Sequence, residues 1–187
     1  SLREQRPGYT PSGPEVVPGT YIVKFSFDDK VQYKPFQVVF DPRKQITKAE
    51  REANAAAQKE LMEKVKPATE AVEHMTKIRK SIDIFLKEAQ NDTSLKALVK
   101  EGKEAKKQLE KTLKLFVAMP GGKQGISRSP NIVRYFWTAS SALGSHYGRP
   151  TPNQLQKADL AEKKLAEGMN AYEEMLEQHV RALIKNV

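Results

Sequence analysis

The sequence contains no cysteine among its 187 residues, and its apolar runs are short. Without cysteine the chain cannot form disulfides, thiolate metal sites or a cysteine nucleophile. Because no run approaches the roughly 18 apolar residues that cross a bilayer, the sequence predicts no transmembrane segment. The first residues, Ser1-Leu2-Arg3-Glu4, lack the charged-then-apolar layout of a signal peptide, and Ser1 replaces the usual Met. We therefore expect a mature product or a piece of a longer protein.

Spacings that support catalysis or metal binding are also missing. The three histidines, His74, His146 and His179, are too far apart for a zinc motif. A ferritin-like di-metal site needs Glu-x-x-His motifs that face the core, and the spacing around His74 does not match. The segment Gly121–Gly125 is glycine-rich, but it lacks the spacing of a phosphate-binding loop and follows a predicted helix. The sequence thus predicts no catalytic residue, metal or cofactor, and we expect this chain not to be an enzyme by itself.

Positive charge is concentrated in one part of the chain. Residues 91–128 carry nine Lys/Arg against four Asp/Glu, which supplies more than half of the net charge of +9. Six lysines spaced three or four apart share one helical face, and this lysine face consists of Lys96, Lys100, Lys103, Lys107, Lys111 and Lys114. Such a face is usually only solvated, and the alternative is binding of anionic polymers or membrane surfaces. It has no arginine and no interleaved aromatic residue, so we expect no nucleic-acid partner.

The stretch from Thr47 to Gln90 predicts one long amphipathic helix around which the chain is organised. Its apolar residues alternate at spacings of three and four, as in a helical bundle. They are Leu61, Val65, Ala68, Val72, Met75, Ile82 and Leu86. Pro67 removes a backbone donor in the middle and should kink the helix. Because the stripe keeps its phase across Pro67, we expect one bent helix rather than two unrelated ones.

Three further helices are predicted after the long one. The first runs from about Ser94 to Val117, with a waist of small residues at Gly102 and Ala105 that lets a neighbour approach. The next begins with an N-cap at Ser129 followed by Pro130, and ends near Gly144. The last begins with a capping box at Thr151 and continues almost to the end of the chain. Short connections favour antiparallel neighbours, so the sequence predicts a mainly α fold, a four-helix up-down bundle over residues 46–187.

The first 45 residues differ from the bundle in period and composition. Residues 1–19 are rich in Pro and Gly and should be loop-like. Alternating residues then predict a hairpin of two strands, Thr20–Phe27 and Val31–Phe40, with a turn at Asp28-Asp29. Pro35 restricts the second strand to an edge or a bulge. The hairpin is apolar on both faces, so it must pack on the helices, on another chain or on strands of an upstream domain.

Aromatic residues near the end of the third predicted helix offer a second candidate contact. Trp137 flanks the buried stripe, and Tyr147 and Arg149 lie in the loop beyond it. Aromatic side chains beside such a loop contact carbohydrates or peptides in some proteins, whereas core packing and loop anchoring are commoner roles. Both interpretations stay open at the level of the sequence.

Three features of the chain resemble one known family. The segment 13–21, Gly-Pro-Glu-Val-Val-Pro-Gly-Thr-Tyr, the hairpin, and the exit Asp41-Pro42-Arg43 resemble the carboxy-terminal region of exported bacterial proteins with sortilin-like propellers of Asp-box (BNR) repeats, which are often labelled glycosyl hydrolases. In that family a small β-sandwich ends with these elements, and a helical bundle follows. The turn Arg149-Pro150-Thr151 and the tail Leu2-Arg3 are similar as well. The family commonly has Asp-Gly where Asp28-Asp29 stands here.

The resemblance implies a function for the chain that its own spacings do not supply. It implies a non-catalytic accessory module, exported with its parent protein, that braces or docks upstream domains. No Asp-box repeat occurs in these residues, so any glycoside-hydrolase activity would belong to another part of the parent. The expected partners are upstream domains of the same polypeptide, together with self-association through the hairpin. The alternative is a binding module that uses the lysine face.

Overall fold

The structure, a computed structural model, describes residues 16–118 and 130–185. Two strands come first, β1 (Gly19–Phe27) and β2 (Lys30–Val38). The helices are α1 (Lys48–Lys64), α2 (Lys66–Ala89), α3 (Lys96–Phe116), α4 (Ile132–Gly144), α5 (Pro152–Met175) and the short α6 (Ala182–Lys185). The predicted glycine-rich connection and most of the predicted loop over residues 1–19 lie outside the described residues. Helical residues make up more than half of the chain, so the predicted mainly α fold with an N-terminal hairpin is confirmed.

The helices α1 and α2 form one long bent helix. A capping box begins it, because the Glu50 N–H donates to Thr47 Oγ1 over 3.2 Å and the Thr47 N–H donates to the Glu50 carboxylate over 2.9 Å. At Val65 the backbone stays in the right-handed helical region, with φ −81° and ψ −15°. Pro67 follows two residues later and has no N–H to bond the preceding turn. The bend lets α1 pack on α4 while α2 packs on α3 and α5.

The hydrophobic core lies between α2, α3, α4 and α5. All seven residues of the predicted stripe on the long helix are in this core or packed against it. Met75, Leu109, Phe116 and Leu143 are fully buried at its centre. The predicted waist of α3 is also confirmed, because a Cβ on Gly102 would stand only 3.2 Å from the Leu86 side chain of α2. The bundle therefore assembles as the helical periodicity predicts.

Helix ends follow the predicted caps at one position and depart from them at another. Thr151 and Gln154 form the predicted capping box of α5, with Pro152 at the first helical position. The predicted start of α4 at Ser129-Pro130 is wrong, because Asn131 is the N-cap and its side chain accepts from the Arg134 N–H over 2.9 Å. Asn is at least as good a cap as Ser, and it lies directly before the first buried residue, Ile132. After α5 the helix continues as a π-helical stretch, Leu176–Arg181, that the sequence did not predict.

The hairpin is a regular two-stranded antiparallel sheet. Its register runs from Gly19 opposite Val38 to Phe27 opposite Lys30 without a bulge. Asp28 in the turn has φ 47°, the left-handed conformation that Asp tolerates better than most residues. The predicted second strand was two residues too long, because pairing stops at Val38.

Candidate interaction surfaces

The hairpin exposes large apolar side chains on both of its faces. On one face, Phe25 is 57 % exposed and Phe27 is 78 % exposed. On the other, Ile22 is 69 % exposed and its diagonal neighbour Tyr33 is 66 % exposed. The core cluster of the described residues includes helical positions and no hairpin residue. The sequence predicts that the hairpin packs on the helices, on another chain or on an upstream domain. Among the described residues, the helices do not cover it.

The two ends of the hairpin differ in order. Near its base, Tyr21 stacks obliquely on Phe36 with ring centroids 5.8 Å apart, and its hydroxyl donates to the Val17 carbonyl over 2.5 Å. These contacts leave Tyr21 and Val23 half-buried, whereas the residues toward the turn are exposed. The base of the hairpin is thus held by its own side chains, and the apolar surface available to a partner lies toward the turn.

The exit from the hairpin is a structured turn that leads to the bundle. The Arg43 guanidinium donates to both carboxylate oxygens of Asp41, over 2.9 and 2.8 Å, and the Arg43 N–H donates to the same group. These hydrogen bonds from Arg43 hold the pKa of Asp41 below its usual value. One residue later, Lys44 places its Nζ 3.4 Å from the centroid of the Tyr147 ring, a cation–π contact. The hairpin exit therefore contacts the loop between α4 and α5.

A cluster of polar side chains, which we call the polar junction, joins α1 to the end of α4. Asn54 is fully buried, and its Nδ2 donates to the carbonyls of Leu143 and His146, each over 3.1 Å. Its Oδ1 accepts from Arg51 and from Gln58. Gln154 adds a donor to the Ala142 carbonyl over 2.7 Å. Because the last carbonyls of a helix have no partner within it, the polar junction satisfies the end of α4.

The polar junction was not predicted from the sequence. The local indication is a single Asn within a run of alanines, Ala53-Asn54-Ala55-Ala56-Ala57. A polar side chain on a helix face that packs on the core is normally hydrogen-bonded there. The bonds from Asn54 to Leu143 and His146 join separate parts of the chain, whereas those from Arg51 and Gln58 to Asn54 lie within α1. Among the described residues every buried side-chain N or O atom has a hydrogen-bond partner, which suits a structural role for the junction.

The three residues of the predicted loop contact do not form one site. Trp137 is 61 % exposed, with the Arg134 guanidinium carbon 5.1 Å from its ring centroid. It lines a groove of about 360 Å³ with hydroxyl and amide side chains of α4 and the start of α5, among them Ser141, Thr151 and Asn153. Tyr147 instead contacts Lys44 of the hairpin exit and Arg51 of α1, which lie over its ring. Arg149 is exposed; the pKa of Glu50 is lowered mainly by its hydrogen bonds from Thr47, and the charge of Arg149 adds a smaller lowering.

The lysine face lies on the outer surface of α3 as its spacing predicts. All six of its lysines are exposed. A shallow groove of about 290 Å³ lies beside the end of α2 and is bordered by Lys96, Lys100 and Lys103. Asp92 also lines this groove. Lys107 lies 3.7 Å from Glu104 on its own helix. Lys106, outside the face, binds Asp83 of α2 over 2.6 Å and helps to hold the two helices together.

The histidines occupy separate places in the fold. His74 Nδ1 lies 2.5 Å from the hydroxyl of Tyr172, which links α2 to α5. His146 is exposed beyond α4, and His179 is half-buried in the π-helical stretch. Within residues 16–118 and 130–185 there is no group of three or more His, Asp or Glu that would hold a metal ion. No helix in the same ranges is long and apolar enough to cross a membrane.

Comparisons of the chain with models of protein families, with curated proteins and with solved structures give no match.

Proposed function

We propose that the chain is a non-catalytic accessory module of an exported multidomain protein, and that its hairpin docks a neighbouring β-domain. The observation that carries this proposal is the exposure of Ile22, Phe25, Phe27 and Tyr33 on the two faces of one hairpin. A lone two-stranded hairpin is marginal in water. Contiguous exposed apolar residues usually mark a surface that is covered by a partner.

The way in which the hairpin is attached also supports a docking role. The doubly hydrogen-bonded Asp41–Arg43 turn and the contact of Lys44 with Tyr147 restrict the path between β2 and α1. A docked domain would therefore be held in a limited range of orientations relative to the bundle. The bundle contributes a core that is complete without the hairpin, which suits a brace.

The test compares this chain with a longer product of its reading frame that includes whatever domain precedes Ser1. Docking should slow amide hydrogen exchange from Tyr21 to Phe27 and raise the melting temperature of the bundle. A matched longer chain with Phe25→Ser and Phe27→Ser should keep both folds and lose the protection. If exchange in β1 is the same with and without the preceding region, the docking proposal is wrong.

A second candidate function is supported by the exposure of all six lysines on α3. In this proposal the lysine face binds anionic polymers or surfaces through phosphate-like or sulfate groups, with a strong dependence on salt. Retention on heparin should fall when Lys100, Lys103 and Lys107 are changed to Glu. The control changes Lys59, Lys77 and Lys80, which are also exposed, to Glu and alters the net charge equally. Equal loss of retention in both variants would show that only net charge matters and would remove this candidate.

A further inference from the structure

The two outer edges of the hairpin differ in their protection against strand addition. In a hairpin with a two-residue turn the closing pair is hydrogen-bonded and the pairs alternate from there. Ile22 opposite Pro35 is then a non-hydrogen-bonded pair, whose backbone groups point away from the partner strand. Pro35 therefore leaves the outer edge of β2 without one N–H donor. That strand also carries Lys30 and Lys34. Proline and lysine are the residues that block edge pairing.

The outer edge of β1 is less protected, because its one lysine, Lys24, is not accompanied by a proline. By the same alternation, Thr20, Ile22, Lys24 and Ser26 direct their backbone groups outward. The strand contains one charged residue and no proline.

We propose that the outer edge of β1 pairs antiparallel with β1 of a second copy of this chain, about a two-fold axis at Val23. Val23 is the midpoint of Gly19–Phe27, so all nine residues find a partner in this register. The two strands then form about eight hydrogen bonds and a continuous four-stranded sheet.

Side-chain pairing suits this register and disfavours the one centred on Lys24. Tyr21 lies opposite Phe25 of the partner subunit, and Gly19 lies opposite Phe27 of the partner subunit, so aromatic residues meet an aromatic ring or a glycine. Lys24 lies opposite Ile22 of the partner subunit. If the two-fold axis were shifted by one residue, to Lys24, the Lys24 side chains of the two copies would lie directly opposite each other. Like charges in that position are destabilising. Val23 meets its own symmetry mate.

The pairing also merges the exposed apolar faces of two hairpins. The face that carries Phe25 and Phe27 becomes continuous across the two copies, with the aromatic residues of each strand beside those of the other. Three or more strands with an apolar face are needed for a sheet to be stable, and the pair of hairpins has four. The interface is isologous and closes at two copies, because each remaining edge is a β2 edge interrupted by Pro35.

A cysteine placed at the two-fold axis tests the register directly. The chain has no cysteine of its own, so one introduced thiol gives an unambiguous product. Residues opposite each other in a non-hydrogen-bonded pair have Cα atoms about 4.5 Å apart, within disulfide range. Val23→Cys should form a disulfide-linked dimer under mild oxidation at least tenfold faster than Tyr21→Cys. Tyr21 lies four residues from its own symmetry mate in this register, too far for a disulfide.

A pair of proline variants tests which edge is used. Lys24 and Tyr33 lie opposite each other in the hairpin, and both direct their N–H groups outward. Lys24→Pro should abolish the dimer seen by sedimentation of the unmodified chain, whereas Tyr33→Pro, which strains the hairpin equally, should leave it intact. A wild-type chain that stays monomeric up to about millimolar concentration, or equal oxidation rates for the two cysteine variants, would overturn the proposal. So would a dimer that survives Lys24→Pro. None of these results depends on docking of an upstream domain.

Discussion

Asn54 is the residue whose environment says most about how the bundle is joined. It is fully buried and donates to the carbonyls of Leu143 and His146 while accepting from Arg51 and Gln58. A buried amide with this many partners costs little to keep and much to remove, because its partners would be left without hydrogen bonds. It links residues that are about 90 positions apart in the sequence.

We predict that Asn54→Ala lowers the free energy of unfolding by about 3 kcal/mol, since the carbonyls of Leu143 in α4 and His146 in the following loop lose their donor. Urea denaturation followed by circular dichroism would measure the loss. Asn153→Ala is the control, because Asn153 is exposed and its change should cost less than about 0.5 kcal/mol. Equal midpoints for the two variants would contradict the structural role of Asn54.

The two capping boxes give a matched test of acid sensitivity. Glu50 accepts hydrogen bonds from the backbone N–H and hydroxyl of Thr47, which lower its pKa below its ordinary value of 4.5. Gln154 occupies the equivalent position in the capping box of α5 and cannot titrate. A carboxyl whose pKa is lower in the folded state stabilises above its ordinary pKa. That stabilisation is lost as the pH falls through the folded pKa.

We therefore expect Glu50→Gln to destabilise the chain at neutral pH and to match the wild type once the pH falls below the lowered folded-state pKa of Glu50, which flattens the pH dependence of the urea midpoint. Glu52→Gln, on the same helix outside the capping box, serves as the control. Its urea midpoint should change with pH as that of the wild type does. Parallel curves for the wild type and Glu50→Gln would show that the capping carboxylate does not couple to folding.

At the scale of elements, two buried glycines mark the closest helix contacts. A Cβ on Gly168 of α5 would stand 2.3 Å from Ile132 Cδ1 and 3.3 Å from the Phe116 ring, both buried. A Cβ on Gly102 of α3 would meet Leu86 and Phe85 at 3.2 and 3.3 Å, and both of these side chains are only half-buried and free to shift.

Alanine at the two positions should thus have different effects. Ala is favoured over Gly inside a helix by about 1 kcal/mol, and overpacking of a core costs about 1–3 kcal/mol. Gly102→Ala should leave the melting temperature unchanged or raise it, whereas Gly168→Ala should lower it by several degrees. The reverse order would show that the contact at Gly168 is the looser one.

The helices could be predicted because period and caps agree in this sequence. The Thr47 and Thr151 boxes fix two starts, and the stripe from Leu61 to Leu86 fixes the buried face of the long helix. Local rules failed where two caps compete. Ser129-Pro130 and Asn131 are both good starts, and the choice is made by the burial of Ile132, a tertiary effect. The π-helical stretch has no local signal, since its residues suit an α-helix equally.

The candidate surfaces were predictable to different degrees. The lysine face follows from helical spacing alone and is found as expected. The association of Trp137 with Tyr147 and Arg149 was inferred from closeness in sequence, and the structure divides it because α4 turns Trp137 away from the loop beyond its end. For the polar junction the local sequence signals only that Asn54 is unusual, because its partners Leu143 and His146 lie about 90 residues away.

At the scale of the whole molecule, the bundle and the hairpin meet through a short connection. The buried core of the described residues lies on the helices, and Lys44 at the hairpin exit contacts Tyr147 of the bundle. We predict that a chain of residues 46–187 keeps its helical circular dichroism and melts within about 3 °C of the full chain, because the side-chain contact that the structure shows between the described part of the removed segment and the bundle is the Lys44–Tyr147 cation–π contact, worth about 1 kcal/mol. A drop of more than 10 °C would show that the hairpin is part of the folding unit.

The bent helix also has a mechanical consequence. A stretching force applied to the hairpin would be transmitted to the bundle at Thr47 and would act along the axis of α1. Asn54 lies about 10 Å further along this helix. Resistance would then fall on the hydrogen bonds from Asn54 to Leu143 and His146, while α2 beyond Val65 remained packed on α3 and α5. Under tension we expect α1 to detach from α4 first, with the bend as the hinge, so that the module yields by a fixed length before its core is strained.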